Sequence, residues 1–538
     1  MSLRLAAPIG LASVLFCSWS ADAAGPGAEA PLAEPHRDET FTTSEQCGVC
    51  HTTAAGAKAM LDADGEDVSP YGTWQATMMA NSFRDPYFHA QLQKETAAAG
   101  EQVQELCLRC HAPMLHHENV LAGKQAPRLA DAAGDVFADD GVSCTVCHLM
   151  DGANFGKEES FSGRPTFGKD RKVYGPFADV AVRPMQNMVR YTPVHGPHVQ
   201  KSALCATCHT LTTEHNGTPF KEQTPYLEWR NSEFSDEREG ADPAKTRTCQ
   251  QCHMPRSAPT RIARNPMGFD FRIPERDGYA VHAFVGGNAF MLGMLRDHRE
   301  ELDVLAENAQ FERTIAATKQ QLAEATARLE ITPLVRDGGA LGFGVKVENL
   351  TGHKFPSGYP ARRAWLHVQV LRGGEVVFES GAHDDKGRLV GVGDELAIAH
   401  PAVVSKASEA VVYEMVADDP AGAPTTYLTK MVRKRKDTRL LPRGWQPDGP
   451  HADATAPVGV DGDADFTAGG DIASFRVPLP PGDGRCAVRA TLRYQSVPPA
   501  WVDALRGLEA EQATRFVGWY DAADKTPETV AAARRGEN

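Results

Sequence analysis

Apolar positions along this chain repeat with two different periods, and the change of period divides it. Between residues 296 and 330, Leu302, Leu305 and Ala309, then Leu322, Ala325 and Leu329, recur at helical spacing among Glu, Gln, Arg and Lys. One long amphipathic helix is predicted there. Beyond it the period becomes two: Leu341, Phe343, Val345 and Val347 alternate with Gly342, Gly344, Lys346 and Glu348, and Leu366, Val368 and Val370 repeat the pattern, as do Val488, Ala490 and Leu492. With Gly/Asp-rich turns between these runs, 331–497 reads as an antiparallel β domain of sandwich type, followed by a short helical tail over 498–538.

Upstream the pattern is different. From 46 to 295 short helical pieces sit among many turn residues and no period is sustained. At the start, Arg4 precedes an apolar run over 5–19 and the small-residue pattern Ala21-Asp22-Ala23, which reads as a cleaved secretory signal over 1–23. Residues 24–45, rich in Ala, Pro, Gly and Glu, read as a flexible linker. The apolar run falls short of the ~20 residues a spanning helix needs, and no later segment is continuously apolar over that length. The mature chain is expected to have no transmembrane segment and to be periplasmic or extracellular. The fold class expected is α+β: a mainly helical, loop-rich domain, a long helix, then the β domain.

What takes the place of an aliphatic pattern in 46–295 is Cys-x-x-Cys-His, present five times: Cys47, Cys50 and His51; Cys107, Cys110 and His111; Cys144, Cys147 and His148; Cys205, Cys208 and His209; Cys249, Cys252 and His253. Two thiols at this spacing can close on the two vinyl groups of one porphyrin, and the adjacent imidazole falls under the ring as the proximal iron ligand. Five covalently bound haem c groups are expected, and 46–295 is then a pentahaem cytochrome c domain. Of twelve cysteines, ten lie in these motifs, leaving Cys17 in the leader and Cys486 beside a strand. Zinc ribbons need no histidine after the second cysteine, and a disulfide scaffold suits chains too short to build a core. The motif spacings are too irregular for a solenoid.

The occupant of the sixth iron position decides between electron transfer and chemistry. Fourteen of the nineteen histidines lie outside the motifs, and His36, His367, His383, His400 and His451 read as solvated residues of the linker and β domain. The remaining candidates are His89, His116, His117, His195, His198, His215, His282, His298 and His353. They outnumber the irons. His353 stands out in a Gly/Pro-bounded loop, Asn349-Leu350-Thr351-Gly352-His353-Lys354-Phe355-Pro356-Ser357-Gly358, which could present an imidazole from the β domain to the haem domain. His282 precedes a turn-rich stretch, His198 lies seven residues before Cys205, His89 belongs to the same set, and of His116 and His117 at most one is expected to ligate.

The net charge of −14 disfavours nucleic acid and suits docking on cationic protein surfaces, so the partners expected are redox proteins. The run Arg433, Lys434, Arg435, Lys436 is the local exception and reads as a solvated loop.

The stretch Tyr226-Leu227-Glu228-Trp229 with Ser232, leading to Cys249-Gln250-Gln251-Cys252-His253-Met254-Pro255, resembles multihaem cytochromes related to the tetrahaem electron carrier of ammonia oxidation, with hydroxylamine oxidoreductase and pentahaem nitrite reductase as more distant relatives. Leu204-Cys205-Ala206-Thr207-Cys208-His209-Thr210 and Met79-Ala80-Asn81-Ser82-Phe83-Arg84-Asp85-Pro86-Tyr87 are similar to segments of the same group, and the likeness runs over about 41–290. The resemblance implies closely packed haem pairs, mostly bis-histidine iron and electron transfer, sometimes with one open haem. The chain departs from the tetrahaem carrier by one more motif and a large β domain, and no Cys-x-x-Cys-Lys occurs, which argues against a nitrite reductase site. The expected function is an exported pentahaem cytochrome relaying electrons. The alternatives are an oxidoreductase with one open haem acting on hydroxylamine, nitric oxide, nitrite or a sulfur oxyanion, and a structural subunit of an extracellular electron conduit.

Overall fold

The computed structural model describes residues 39–482 and 484–537; the signal expected over 1–23 and the linker up to residue 38 lie outside the described residues. A helical region comes first and a sheet-rich region follows. In the first, each Cys-x-x-Cys-His closes a short helix: α1 Ser44–His51, α2 Gln102–His111, α3 Cys144–His148, α4 Ser202–His209 and α5 Cys249–His253. The longest helix of this region, Pro86–Ala99, starts where Asp85 accepts the amides of Tyr87 and Phe88 at 2.8 and 3.3 Å and stops at Gly100, whose φ of +85° suits glycine.

The period-two runs are strands: β1 Ala327–Ile331, β2 Ala340–Asn349, β3 Arg363–Arg372, β4 Val412–Asp418, β5 Gly470–Pro478, β6 Cys486–Gln495 and β7 Glu528–Gly536. One sheet runs β5-β2-β1, with Val403–Val404 pairing parallel to β5; the larger runs β4-β3-β6-β7. Alternate residues share a face of a pleated strand. Accordingly Leu341, Phe343, Val345 and Val347 from one sheet and Leu366, Val368, Val370, Val488, Ala490 and Leu492 from the other bury into a single core.

The expectations for the long helix and for the tail need correction. The helix read over 296–330 is instead Ala289–Asp297 and Asn308–Ala325, broken at a turn in which Asp303 takes φ +50°; Glu307 and Gln310 then form a capping box that restarts it. Leu329 belongs to β1, where Ala327, Leu329 and Ile331 are buried and Arg328 and Glu330 exposed, a period of two rather than 3.6. The tail is helical only over Pro499–Asp503 and Glu511–Ala522; its last stretch is β7, which pairs with β6 and buries Val530.

The basic run is no solvated loop. It forms the strand Arg433–Asp437, in which Arg433 and Arg435 share Asp418 at 2.7 and 2.5 Å, while Lys434 binds Asp437 and Lys436 binds Glu414. Its charges are neutralised within the fold. Among the described residues no helix is long and apolar enough to cross a membrane.

Candidate haem sites

An α-helix carries residues i and i+3 on one side. In all five motif helices the two thiols therefore share a side, and the histidine is the last helical residue. The histidine tautomers follow from their partners. Nδ1–H donates to a backbone carbonyl in His51 (Ile262, 2.8 Å), His111 (Ser82, 2.8 Å), His148 (Tyr174, 2.6 Å) and His253 (Val285, 2.6 Å). That leaves the Nε2 lone pair of each for iron, the usual orientation of a ligating imidazole. Burial pushes the imidazoles of His111 and His209 down to about 4 and lowers those of His51 and His148, so the neutral form that a metal requires is the stable one.

The motifs gather in one cluster. The thiol of Cys47 lies against Cys144, that of Cys110 against Cys208, and that of Cys205 against Cys249. Cys147 is within electrostatic reach of Cys205 and Cys208. The first motif thus neighbours the third and the second neighbours the fourth, while the fourth also adjoins the third and fifth. Gly163, at φ +71°, lets the chain pass Cys110 closely; a Cβ there would stand 3.0 Å from its sulfur and 2.6 Å from Arg109 Cβ. Among the described residues no three of these thiols and imidazoles converge on one point, as a zinc ribbon requires.

Two motif histidines are matched by a second imidazole. His148 and His282 have ring centres 6.2 Å apart with planes 23° apart; His253 and His353 have ring centres 6.2 Å apart with planes 7° apart. Rings this far apart are not in stacking contact. An iron bonded at about 2.0 Å to the near nitrogen of each ring would set the ring centres roughly 6 Å apart, so both pairs fit an iron held between them. His282 and His353 also donate Nδ1–H to carbonyls, of Ala280 at 3.0 Å and Lys354 at 2.8 Å, which keeps Nε2 free. Burial pushes His282 down to about 3 and lowers His353.

The other candidates differ. His89 places Nε2 2.5 Å from the Phe83 carbonyl, and His198 places Nε2 2.9 Å from the Met150 carbonyl, so both commit the nitrogen that His282 and His353 keep free. His89 packs edge-on against Phe88, whose ring lies flat on His111 at 3.8 Å; His198 packs edge-on against Tyr174. His116 and His117 are both buried, and neither ring nitrogen of His116 has a hydrogen-bond partner among the described residues. Its Nε2 lies 4.0 Å from Glu105 Oε1, an ion pair only if the ring is protonated, and burial pushes the imidazole down to about 4, so the neutral ring that an iron would need is the stable form. His195 is exposed at a strand end, His215 donates to the Thr429 carbonyl at 2.8 Å, and His298 stacks on Trp519 at 3.9 Å.

The loop carrying His353 is held by charges that the sequence does not reveal as partners. Glu228 accepts the Lys354 amide at 3.0 Å and the Ser357 hydroxyl at 2.7 Å, and pairs with Arg439 at 3.2 Å. Lys354 Nζ reaches Asp437 at 2.7 Å, and Asp437 also binds Lys434 and Arg439. Glu228, Lys354 and Asp437 are fully buried. Burial alone would raise the Asp437 carboxyl, but Arg439, Lys354 and Lys434 outweigh it and hold it well below the usual carboxylate range. Gly352 allows the loop to approach the Glu228 helix, since a Cβ there would stand 3.1 Å from the Trp229 ring. Removing one partner of a buried pair strands the other, so Lys354→Ala is expected to cost about 3–5 kcal/mol in guanidinium unfolding followed by circular dichroism. A loss below about 1 kcal/mol would show that the network does not hold the loop.

Residues 67–149 match the family described as cytochrome c554 and c-prime, a stretch that contains the second and third motifs. No curated protein matches the chain. Among solved structures, a penta-heme cytochrome c552 from Thermochromatium tepidum is similar, with a TM-score of 0.54 at 18% identity, over 92% of this chain and 99% of that one. At that identity the likeness is one of fold, and it extends through the sheets as well as the motif region. The chain is thus a multihaem c-type cytochrome that carries, over residues 67–149, the sequence pattern of the cytochrome c554 and c-prime family.

Proposed function

We propose that this protein is an exported pentahaem c-type cytochrome that relays electrons between redox partner proteins. The observation that carries this reading is the contiguity of the five motifs, through the Cys47–Cys144, Cys110–Cys208 and Cys205–Cys249 contacts and the approach of Cys147 to Cys205 and Cys208. Haem, when bound, supplies one reversible electron per iron. The chain's part is to fix spacing and ligation. Cys47, Cys50, Cys107, Cys110, Cys144, Cys147, Cys205, Cys208, Cys249 and Cys252 would attach the groups, and His51, His111, His148, His209 and His253 would be proximal ligands. His282 and His353 would complete the third and fifth sites. The unpartnered nitrogens of His116 make it the distal candidate of its helix.

One observation favours the second reading, an oxidoreductase with one open haem. Glu222 is buried, its Oε2 lacks a partner among the described residues, and burial pushes its carboxyl up to about 8, which makes it a proton donor within electrostatic reach of Cys107 in the second motif. A relay is expected to bind carbon monoxide negligibly when reduced and to leave hydroxylamine and nitrite unchanged. Near-stoichiometric carbon monoxide binding at one haem, with turnover of either substrate that Glu222→Gln slows, would replace the relay with the enzyme.

A further inference from the structure

Outside the five motifs, three side chains of the β region converge. His400 was expected to be solvated, yet its side chain is 2% exposed; its Nε2 lies 3.1 Å from Asp463 Oδ2 and 3.9 Å from Asp471 Oδ2. Their ligand-type atoms all fall within 4.8 Å of one another. His400 and Asp463 come from loops, and Asp471 from β5. Asp471 Oδ2 accepts the Tyr413 hydroxyl at 2.7 Å, but its Oδ1 is buried with no hydrogen-bond partner among the described residues, and so is His400 Nδ1. Burial pushes the Asp471 carboxyl up to about 7, so in the absence of a metal a proton can neutralise it, while a bound cation would find two carboxylates and one imidazole already facing one another. Lys436 is near, but its ammonium is bound to Glu414 Oε1 and the Ile398 carbonyl, each at 2.6 Å.

We propose that His400, Asp463 and Asp471 bind a divalent transition-metal ion of the zinc class. Donors on a tetrahedral zinc at about 2.0–2.2 Å stand roughly 3.3–3.6 Å from one another, and the 3.1 and 3.9 Å separations here bracket that span. One imidazole with two carboxylates suits zinc, whereas calcium takes six to eight oxygens and magnesium keeps mostly water. Three protein ligands leave a fourth position for water, and Asp463, at 11% exposure, stands on the side open to solvent. Tyr413 donates to the same Asp471 Oδ2 that faces His400 and so orients that carboxylate, as the hydrogen-bonded supports of metal ligands do. The ion would have a structural role. His400 lies just ahead of Val403–Val404, which pairs with Ser474 and Phe475 of β5, three and four residues beyond Asp471, so the metal would pin this two-residue strand to the sheet edge.

The test uses the complete haem-loaded protein, stripped with EDTA, equilibrated with zinc chloride and passed through a desalting column. The expected result is about one zinc per chain by plasma mass spectrometry, counted against haem iron, and an anomalous peak at the zinc edge among the three side chains in crystals. Asp463→Asn keeps shape and volume while weakening a ligand; it is expected to lower zinc affinity about tenfold or more against a competing chelator, with the haem spectrum unchanged. Retention of no zinc would overturn the proposal. So would zinc held equally well by Asp463→Asn and His400→Ala, which would place the ion elsewhere, or retention of calcium in preference to zinc.

Discussion

Replacing His353 with alanine is expected to turn one low-spin haem into a high-spin, five-coordinate one without removing any covalent haem. The reasoning rests on the His253–His353 pair, with ring centres 6.2 Å apart and planes 7° apart. Only the distal ring is deleted; Cys249, Cys252 and His253 remain on α5. The reduced variant should then bind about one carbon monoxide per chain, where the parent is expected to bind it negligibly. Glu228→Gln provides the finer control. It keeps one acceptor oxygen, enough for the Lys354 amide and Ser357 hydroxyl that share Oε2, but removes the charge facing Arg439, so it should disturb ligation less than His353→Ala does. Electron paramagnetic resonance of the oxidised proteins checks both. An unchanged spin state in His353→Ala would make the histidine structural and leave the β region's attachment to the motif region to partner docking.

The second large effect concerns folding without cofactor. The β region owns a continuous core drawn from both sheets. The motif region surrounds ten cysteines and its buried imidazoles with short helices and smaller apolar clusters. A group that binds only the native state contributes its binding free energy to stability. Chain produced where haem is not attached should therefore lose protection over about 41–290 while 327–536 stays folded. Limited proteolysis read by mass spectrometry checks this: a resistant fragment starting near Ala327 is expected. Equal resistance along the whole chain would show that the motif region folds without haem.

How far the sequence carries depends on the range of the interaction. The five motif helices and their thiols were legible because a Cys-x-x-Cys-His is complete within five residues. The strands were legible because burial on one face imprints a period of two, seen in Leu341, Phe343, Val345 and Val347. β7 was not, since Ala531, Ala532, Ala533 and Arg534 carry no alternation and are strand only because β6 offers an edge. The helix break at Asp303 was hidden because Leu302 and Val304 are buried in the turn as they would be in a helix. His282 and His353 stood out through Gly/Pro-rich presentation, but His89 and His198 could not be told from them by type. The difference is which nitrogen meets a carbonyl, a matter of tertiary geometry. Glu228, Lys354, Asp437 and Arg439 lie up to 211 positions apart and gave no local signal.

The relay stands or falls on whether one chain holds five connected redox centres, and reductive coulometric titration of the purified protein measures that directly. Five electrons per chain are predicted, one per Cys-x-x-Cys-His motif, all entering through a single mediator and with low-spin spectra throughout. Uptake of four or fewer, or a centre that the mediator reduces only after the protein is unfolded, would contradict it.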